Sequence, residues 1–243
     1  MNILIPMAGS GNRFIKEGYT VPKPLIEFLG KPMIQHAVES LGAKGQYIFV
    51  TRKYENEEQN KELKKTLEKI VNDPIILEVD YLTQGPACTC LLAKEHINNT
   101  EPLIITNCDQ ILEWKSKDFF NFLSNTDCDG IVVTYDETTE KNSYIKLDEN
   151  GYGIELAEKK VISPYSLNGI HYWKEGRHFV ESAEQMIEKD IRTNNEFYIS
   201  TSYNEMIENK MKVGAYHIDR SQHHPTGTPE DLEKYLSHET RKN

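Results

Sequence analysis

The chain has 243 residues, with 28 lysines and arginines against 38 aspartates and glutamates, a formal charge of −10, and 38% hydrophobic and 27% charged residues. This is the composition of an ordinary soluble globular protein, which excludes disordered and fibrous classes, and no apolar run approaches the roughly 18 residues of a membrane span. The acidic balance argues against nucleic acid and anionic membranes as partners, because both need contiguous positive surface, so an anionic substrate must be held by a local basic site.

Residues 3–5 read as a short buried strand that ends at Pro6 in a Gly-rich loop. A helix follows over 33–41, with Pro32 at its start, then a strand at 47–50 and a charged helix over 55–71 that carries Leu63, Leu67, Ile70 and Val71 on one face. The alternation continues with a strand at 76–82, one helix over 87–97, a strand at 103–106, a helix at 118–124 and a strand at 130–135. This βαβα order predicts an α/β fold, a Rossmann-like three-layer arrangement around a mixed, mainly parallel sheet. Beyond Tyr135 the rhythm shortens to strands at 144–147 and 153–157, with Glu149-Asn150-Gly151 as the turn. Strands at 167–173 and 212–218 and helices at 179–190 and 229–236 complete the chain. The expected organisation is one domain, 1–243, with a nucleotide-binding core over 1–135 and a small β-rich acceptor side with a closing helix over 136–243. The stretch 2–5 is too short and lacks the basic flank of a secretory signal, so a cytoplasmic location is expected. Cys88, Cys90, Cys108 and Cys128 have no C-x-x-C spacing and read as reduced thiols.

The chemistry-bearing motif of the first third is Met7-Ala8-Gly9-Ser10-Gly11-Asn12-Arg13-Phe14, directly after the first strand. Glycines permit a tight loop whose N–H groups face an anion. Phe14 stands where a dinucleotide fingerprint needs glycine, and the Gly-Lys-Ser/Thr of a P-loop is absent. A plain turn accounts for the glycines but not for Arg13 followed by Pro22-Lys23-Pro24.

Together, Gly9-Ser10-Gly11-Asn12-Arg13, Pro22-Lys23-Pro24-Leu25-Ile26 and Gly30-Lys31-Pro32-Met33-Ile34 resemble, in order, the opening of the nucleotidyltransferase family that makes nucleotide sugars and related activated metabolites. The resemblance implies an NTP held by the first loop and Mg²⁺-dependent transfer of an NMP group to a phosphorylated small-molecule acceptor, with release of pyrophosphate. An acceptor phosphate with a second pKa of about 6 is already an anion at neutral pH. The reaction then needs alignment and charge neutralisation rather than a general base. Arg13 and Lys23 are the catalytic candidates, and Lys16 and Lys31 read as surface lysines. Asp109, after the strand in Thr106-Asn107-Cys108-Asp109-Gln110, matches the family's metal-binding aspartate.

Tyr81 to Thr89 is similar to the family's base-recognition loop, which assigns Thr83, Gln84, Gly85 and Ala87 to the base and Met7, Ala8, Gly9, Ser10 and Gly11 to the phosphates. Ala157-Glu158-Lys159-Lys160 resembles the Glu-Lys-Pro element in which lysine meets the acceptor phosphate, with Lys160 in place of proline. Asn168, Gly169 and Tyr198 fall in stretches similar to the acceptor wall, where Tyr198 and Tyr203 could each be contact or core. His223 to Leu232 resembles the Gly-Thr-Pro-Glu signature, with Pro225 where a second metal-binding aspartate is usual, so Asp219, His223 and His224 are candidate substitutes. The Pro-Met-Ala-Gly opening and the Asn-Cys-Asp-Gln element resemble the capsule-synthesis branch that transfers CMP from CTP to L-glutamine phosphate. The wider family implies a sugar 1-phosphate acceptor instead. A glycosyltransferase that consumes nucleotide sugars would want an Asp-x-Asp motif, which Asp109-Gln110-Ile111 does not supply, and a non-catalytic nucleotide-binding module would not need Arg13, Lys23 and Asp109 together. The oligomeric state is open.

Overall fold

The computed structural model describes residues 1–242. Strand β1 (Asn2–Met7) leads into a short helix α1 (Asn12–Lys16), a 3₁₀ turn (Lys23–Leu25), the two-residue strands β2 (Glu27–Phe28) and β3 (Lys31–Pro32), and helix α2 (Met33–Leu41). Gly42 ends α2 in the left-handed region at φ 63°, where glycine costs least. Strand β4 (Gln46–Arg52) and helix α3 (Glu57–Ile70) follow. Asn56 caps α3 by accepting from the Glu58 N–H at 2.9 Å, and Glu57 and Glu58 in the first turn complement the helix dipole.

After β5 (Ile75–Val79), the single helix expected over 87–97 is two: α4 (Pro86–Leu91) and α5 (Lys94–Ile97). The Leu92 and Ala93 N–H groups bond back only three residues, to Thr89 and Cys90, so the backbone tightens between the two segments. Cys90, Ala93 and Ile97 stay fully buried across that break, which is why one periodic pattern covers both pieces.

Strands β6 (Leu103–Ile105) and β7 (Gln110–Leu112), helix α6 (Ser116–Asn125), strands β8 (Gly130–Asp136), β9 (Ser143–Leu147), β10 (Gly153–Glu158) and β11 (Tyr165–Trp173), and helix α7 (Gly176–Glu188) come next. Helix α8 (Ile199–Glu208), strand β12 (Val213–His217), a 3₁₀ turn (Arg220–Gln222), strand β13 (His223–Pro225) and helix α9 (Pro229–Lys242) complete the described chain. Helix α8 was not expected, since Ser200, Thr201, Ser202 and Asn204 are weak helix formers. Burial of Ile199, Tyr203 and Met206 outweighs that propensity. The Asn204 amide also clamps the edge strand β10, exchanging two 2.8 Å bonds with the backbone of Leu156.

Among the described residues the nine-stranded main sheet runs β10-β9-β11-β6-β1-β4-β5, with β8 also paired to β11 and β12 paired to β8. Strands β1, β4, β5 and β6 are parallel, whereas β11 runs antiparallel to β6 and β8. Alternation along β1 sends Leu4 to the core beneath α4, α7 and α8, and Ile3 and Ile5 to the core beneath α2, α3 and α6. The result is the three-layer, Rossmann-like mixed sheet that the element order predicts. Among the described residues no helix is long and apolar enough to cross a membrane.

One core residue makes folding sensitive to acid. His171 on β11 is buried (6% exposed), its ring beside those of Trp173 and Tyr203, which stack on each other, and burial pushes its pKa from 6.5 down to about 3. The folded state therefore keeps it neutral while the unfolded chain binds a proton below about pH 6.5, so stability is lost as pH falls through that window. Between pH 7 and pH 5 this histidine should cost about 2 kcal/mol, read by urea titration at the two pH values. His171→Phe should show a correspondingly smaller pH dependence; an unchanged one would rule His171 out.

Candidate active site

The loop after β1 turns at Gly11 (φ 65°), whose carbonyl accepts from the N–H groups of Phe14 and Ile15. Phe14 is buried at 1% exposure and anchors α1, which leaves Arg13 on the outer side. Lys23 opens the 3₁₀ turn between the buried Pro22 and Pro24, so its backbone is held by two rings of fixed φ. Its ammonium donates to Asp109 Oδ2 across the sheet edge, with both side chains only about one-fifth exposed, at 21% and 22%.

Burial opposes the charge on Lys23. The Asp109 carboxylate overcomes this, so the Lys23 pKa is raised even though Arg13 repels it. Lys23 is thus a permanent cation. The neighbouring Cys108 thiol is pushed up to about 12, chiefly by burial, and stays protonated.

This pair forms one wall of a cavity of about 140 Å³, which Met7, Gly9, Gly11 and Asn107 also line. The strand pairing β7–β13 brings the last motif over it: the Thr226 N–H donates to the Asp109 carbonyl at 2.8 Å. A Cβ at Gly227 would stand 2.6 Å from Asp109 Oδ2 and 3.9 Å from Lys23 Nζ, so any side chain there would displace the Asp109 carboxylate. The Gly-Thr-Pro signature marked this segment, yet its packing on Asp109 has no local sequence signal. Thr228 with Asp231 caps α9 as the spacing implies.

A second cluster holds the base loop. Gly85, at φ 132°, lies against the Phe197 backbone, where a Cβ would clash at 2.5 Å. The backbone of Phe197 bonds to both Gln84 and Ala87. The Thr83 hydroxyl meets that of Thr89 at 2.6 Å, which fixes the loop internally. Arg192, a residue the sequence did not single out, stacks 4.0 Å over the Phe197 ring and donates to Gln84 Oε1 at 2.8 Å. The loop glutamine is therefore oriented by a cation 108 residues away in the chain.

The acceptor-side residues form two groups. Lys159 takes a left-handed backbone (φ 55°), unusual for a lysine, and donates to the Tyr198 hydroxyl at 2.6 Å, which in turn donates to Glu196. Tyr198 is thus held by polar partners rather than packed in the core. Tyr203 is core, fully buried with its hydroxyl on the carbonyls of Ile131 and Tyr172. Asn168 and Gly169 lie where β11 bulges, and Gly169 is so close to Asn107 that a Cβ would fall 2.1 Å from its amide nitrogen. Asn168 Nδ2 and Gln110 Oε1 are buried there without a hydrogen-bond partner.

The candidate substitutes for a second metal ligand lie in separate surroundings. Asp219 caps its own 3₁₀ turn through Ser221, and His224 packs against Tyr235 and His238 of α9. His223 is buried against Tyr135. Lys31 pairs with Glu39 on the surface, and Lys16 lies exposed at the end of α1.

The chain has relatives both in sequence and in fold. It is similar to the Drosophila melanogaster mannose-1-phosphate guanylyltransferase catalytic subunit beta, 32% identical over 151 residues, covering 61% of this chain and 41% of that one. It is also similar to a Schizosaccharomyces pombe mannose-1-phosphate guanyltransferase, 36% identical over 58% of this chain and 39% of that one. The match thus spans about two fifths of the length of these curated relatives. In fold it is similar to a nucleoside-diphosphate-sugar pyrophosphorylase from Vibrio cholerae RC9 (TM-score 0.82, 23% identity, 97% of this chain and 99% of that one). It is also similar to an inositol-1-phosphate CTP transferase from T. maritima (TM-score 0.74, 15% identity, 97% and 92%). Residues 3–242 match the Nucleotidyl transferase family along almost their whole length, and the chain belongs to that family.

Proposed function

We propose that the protein transfers a nucleoside monophosphate, CMP from CTP, onto a phosphorylated small-molecule acceptor and releases pyrophosphate, for synthesis of capsule or other cell-surface polysaccharide. The observation that carries this reading is the Lys23–Asp109 pair on the wall of the cavity under the Gly-rich loop. An acceptor phosphate oxygen attacks the α-phosphorus, the bond to the bridging oxygen breaks, and its electron pair leaves on pyrophosphate. No proton need move, and Lys23 and Cys108 keep theirs at neutral pH. Lys23 and Arg13 neutralise the charge that repels the incoming anion.

Asp109 is a hard carboxylate on the same wall, suited to holding Mg²⁺ alongside phosphate oxygens and water. Before substrate arrives, its charge is balanced by Lys23. A bound polyphosphate would compete for Lys23, and Asp109 would then be the residue that holds the ion. Mg²⁺, when bound, supplies further neutralisation of the polyphosphate. Met7, Ala8, Gly9, Ser10 and Gly11 border the phosphates, and Thr83, Gln84, Gly85 and Ala87 the base. With Gln84 Oε1 engaged by Arg192, its amide N–H groups serve an acceptor on the base edge.

For the acceptor, the names of the curated relatives support a sugar 1-phosphate, and the Asn107-Cys108-Asp109-Gln110 element supports L-glutamine phosphate. The test is a grid of CTP, GTP, UTP, ATP and dTTP against both acceptor classes with Mg²⁺, scored by pyrophosphate release. Acceptor-dependent release with CTP is expected. Release with another NTP alone would overturn the base assignment, and none with any pair would favour a glycosyltransferase or a non-catalytic module.

Lys159→Ala should weaken the acceptor far more than the NTP. A lost charge-assisted phosphate contact costs about 1.5–3 kcal/mol, on the order of ten- to a hundredfold in kcat/KM for the acceptor. Equal losses for both substrates would show a structural role for the left-handed turn, and no loss would transfer the contact to Lys160.

A further inference from the structure

Away from the cavity, three side chains from separate elements converge beside α9. Glu113 directly follows β7, His224 lies on β13, and His238 is on α9. Their ligand atoms all fall within 4.8 Å of one another. His224 Nε2 and His238 Nε2 each stand 3.3 Å from Glu113 Oε1, yet both nitrogens are buried and neither has a hydrogen-bond partner. Two imidazole nitrogens beside a carboxylate, unsatisfied by it, leave lone pairs for another centre. The two 3.3 Å separations from the carboxylate match those between ligands about 2.0–2.1 Å from a tetrahedral ion, which lie about 3.3 Å apart.

The geometry points to a binding site for a divalent transition ion of the zinc type, held by Glu113, His224 and His238, with water in the fourth position. Two imidazoles and one carboxylate suit such an ion better than Mg²⁺ or Ca²⁺, which prefer oxygen alone. The side of the site formed by His238 is 39% exposed, against 13% for His224, which provides both an entry path and room for the water. In the described structure the Lys242 ammonium bonds to Glu113 Oε1, as a cation in the place of the ion. Lys242 also bonds to Glu239 at 2.9 Å, so it has a second anion to keep when the metal enters.

The consequence is mechanical. His224 precedes, and His238 follows, the segment Thr226-Gly227-Thr228 that packs over Asp109. A bound ion ties β13 to α9 on either side of that segment and holds it down. The site is separate from the cavity, because His224 faces Tyr235 and His238 of α9.

Chelator-treated protein should be titrated in millimolar Mg²⁺, which occupies hard-oxygen sites, with Zn²⁺ by calorimetry and with Co²⁺ by visible absorption. One equivalent of each is expected, with the intense visible bands of four-coordinate Co²⁺ and a Zn²⁺-dependent rise in Tm. His238→Gln should weaken both ions at least tenfold and remove the Tm rise. This side chain is half-exposed on the terminal helix, so the variant should fold even if Glu113→Gln does not. Lys242→Ala should bind several-fold more tightly, since the competing ammonium is gone, a gain that random surface binding would not show. An unchanged Co²⁺ spectrum and affinity in His238→Gln, or no tightening in Lys242→Ala, would overturn the assignment.

Discussion

Lys23→Ala is expected to leave a folded protein whose kcat is lower by roughly a hundred- to a thousandfold, the usual cost of removing one preorganised charge from a developing oxyanion. Lys23 is the cation that the fold commits to the cavity. Pro22 and Pro24 fix its backbone, Asp109 holds its charge against burial, and Gly227 closes over the pair. Because Lys23 acts by charge and never titrates near neutrality, wild-type kcat should show no ionisation of this group across pH 6–9. Lys23→Arg should not restore the rate, since a planar guanidinium fork does not reproduce the compact ammonium that pairs with Asp109 in this narrow cavity. Near-normal kcat in folded Lys23→Ala would remove it from the mechanism.

Asp109→Asn should have a comparable effect by another route. The amide is a poor ligand for Mg²⁺, so kcat should fall by at least a hundredfold at ordinary Mg²⁺, with partial recovery at high concentrations of the ion. The same change leaves the Lys23 ammonium partly buried without its anion, which should destabilise the fold by about 1–3 kcal/mol. That double signature, a raised Mg²⁺ requirement and a lowered denaturation midpoint, separates Asp109 from a residue that only binds substrate. Full activity at ordinary Mg²⁺ would move the metal elsewhere.

The sheet was readable where local pattern and tertiary demand agree. Residues 3–5, 47–50 and 130–135 are largely apolar runs, and such runs form the strands buried on both faces of the mixed sheet. Helix α8 was not readable, because its serines and threonines are helical only where Tyr203 and Met206 are buried, and that burial is a property of the assembled sheet. Strands β7 and β13 are three residues each, too short for a period to show, yet they place Gly227 on Asp109.

The site divides in the same way. Arg13, Lys23 and Asp109 stood out because their motifs are local. The contact between Lys23 and Asp109, 86 residues apart, and the hold of Arg192 on Gln84 are set only when distant elements close on one another. The cluster of Glu113, His224 and His238 likewise requires a strand end, a strand and a helix to meet, so the adjacency of His223 and His224 does not reveal that His224 faces His238.

The transfer itself is tested most directly by labelling the NTP at either end. With Mg²⁺ and the acceptor panel, CTP labelled at the α-phosphorus should pass its label to an acceptor-dependent product, and CTP labelled at the γ-phosphorus should yield labelled pyrophosphate. Both products should form at one rate and vanish together in Lys23→Ala. Release of γ-label as orthophosphate, or α-label ending in CMP whatever the acceptor, for CTP and every other NTP, would contradict nucleotidyl transfer.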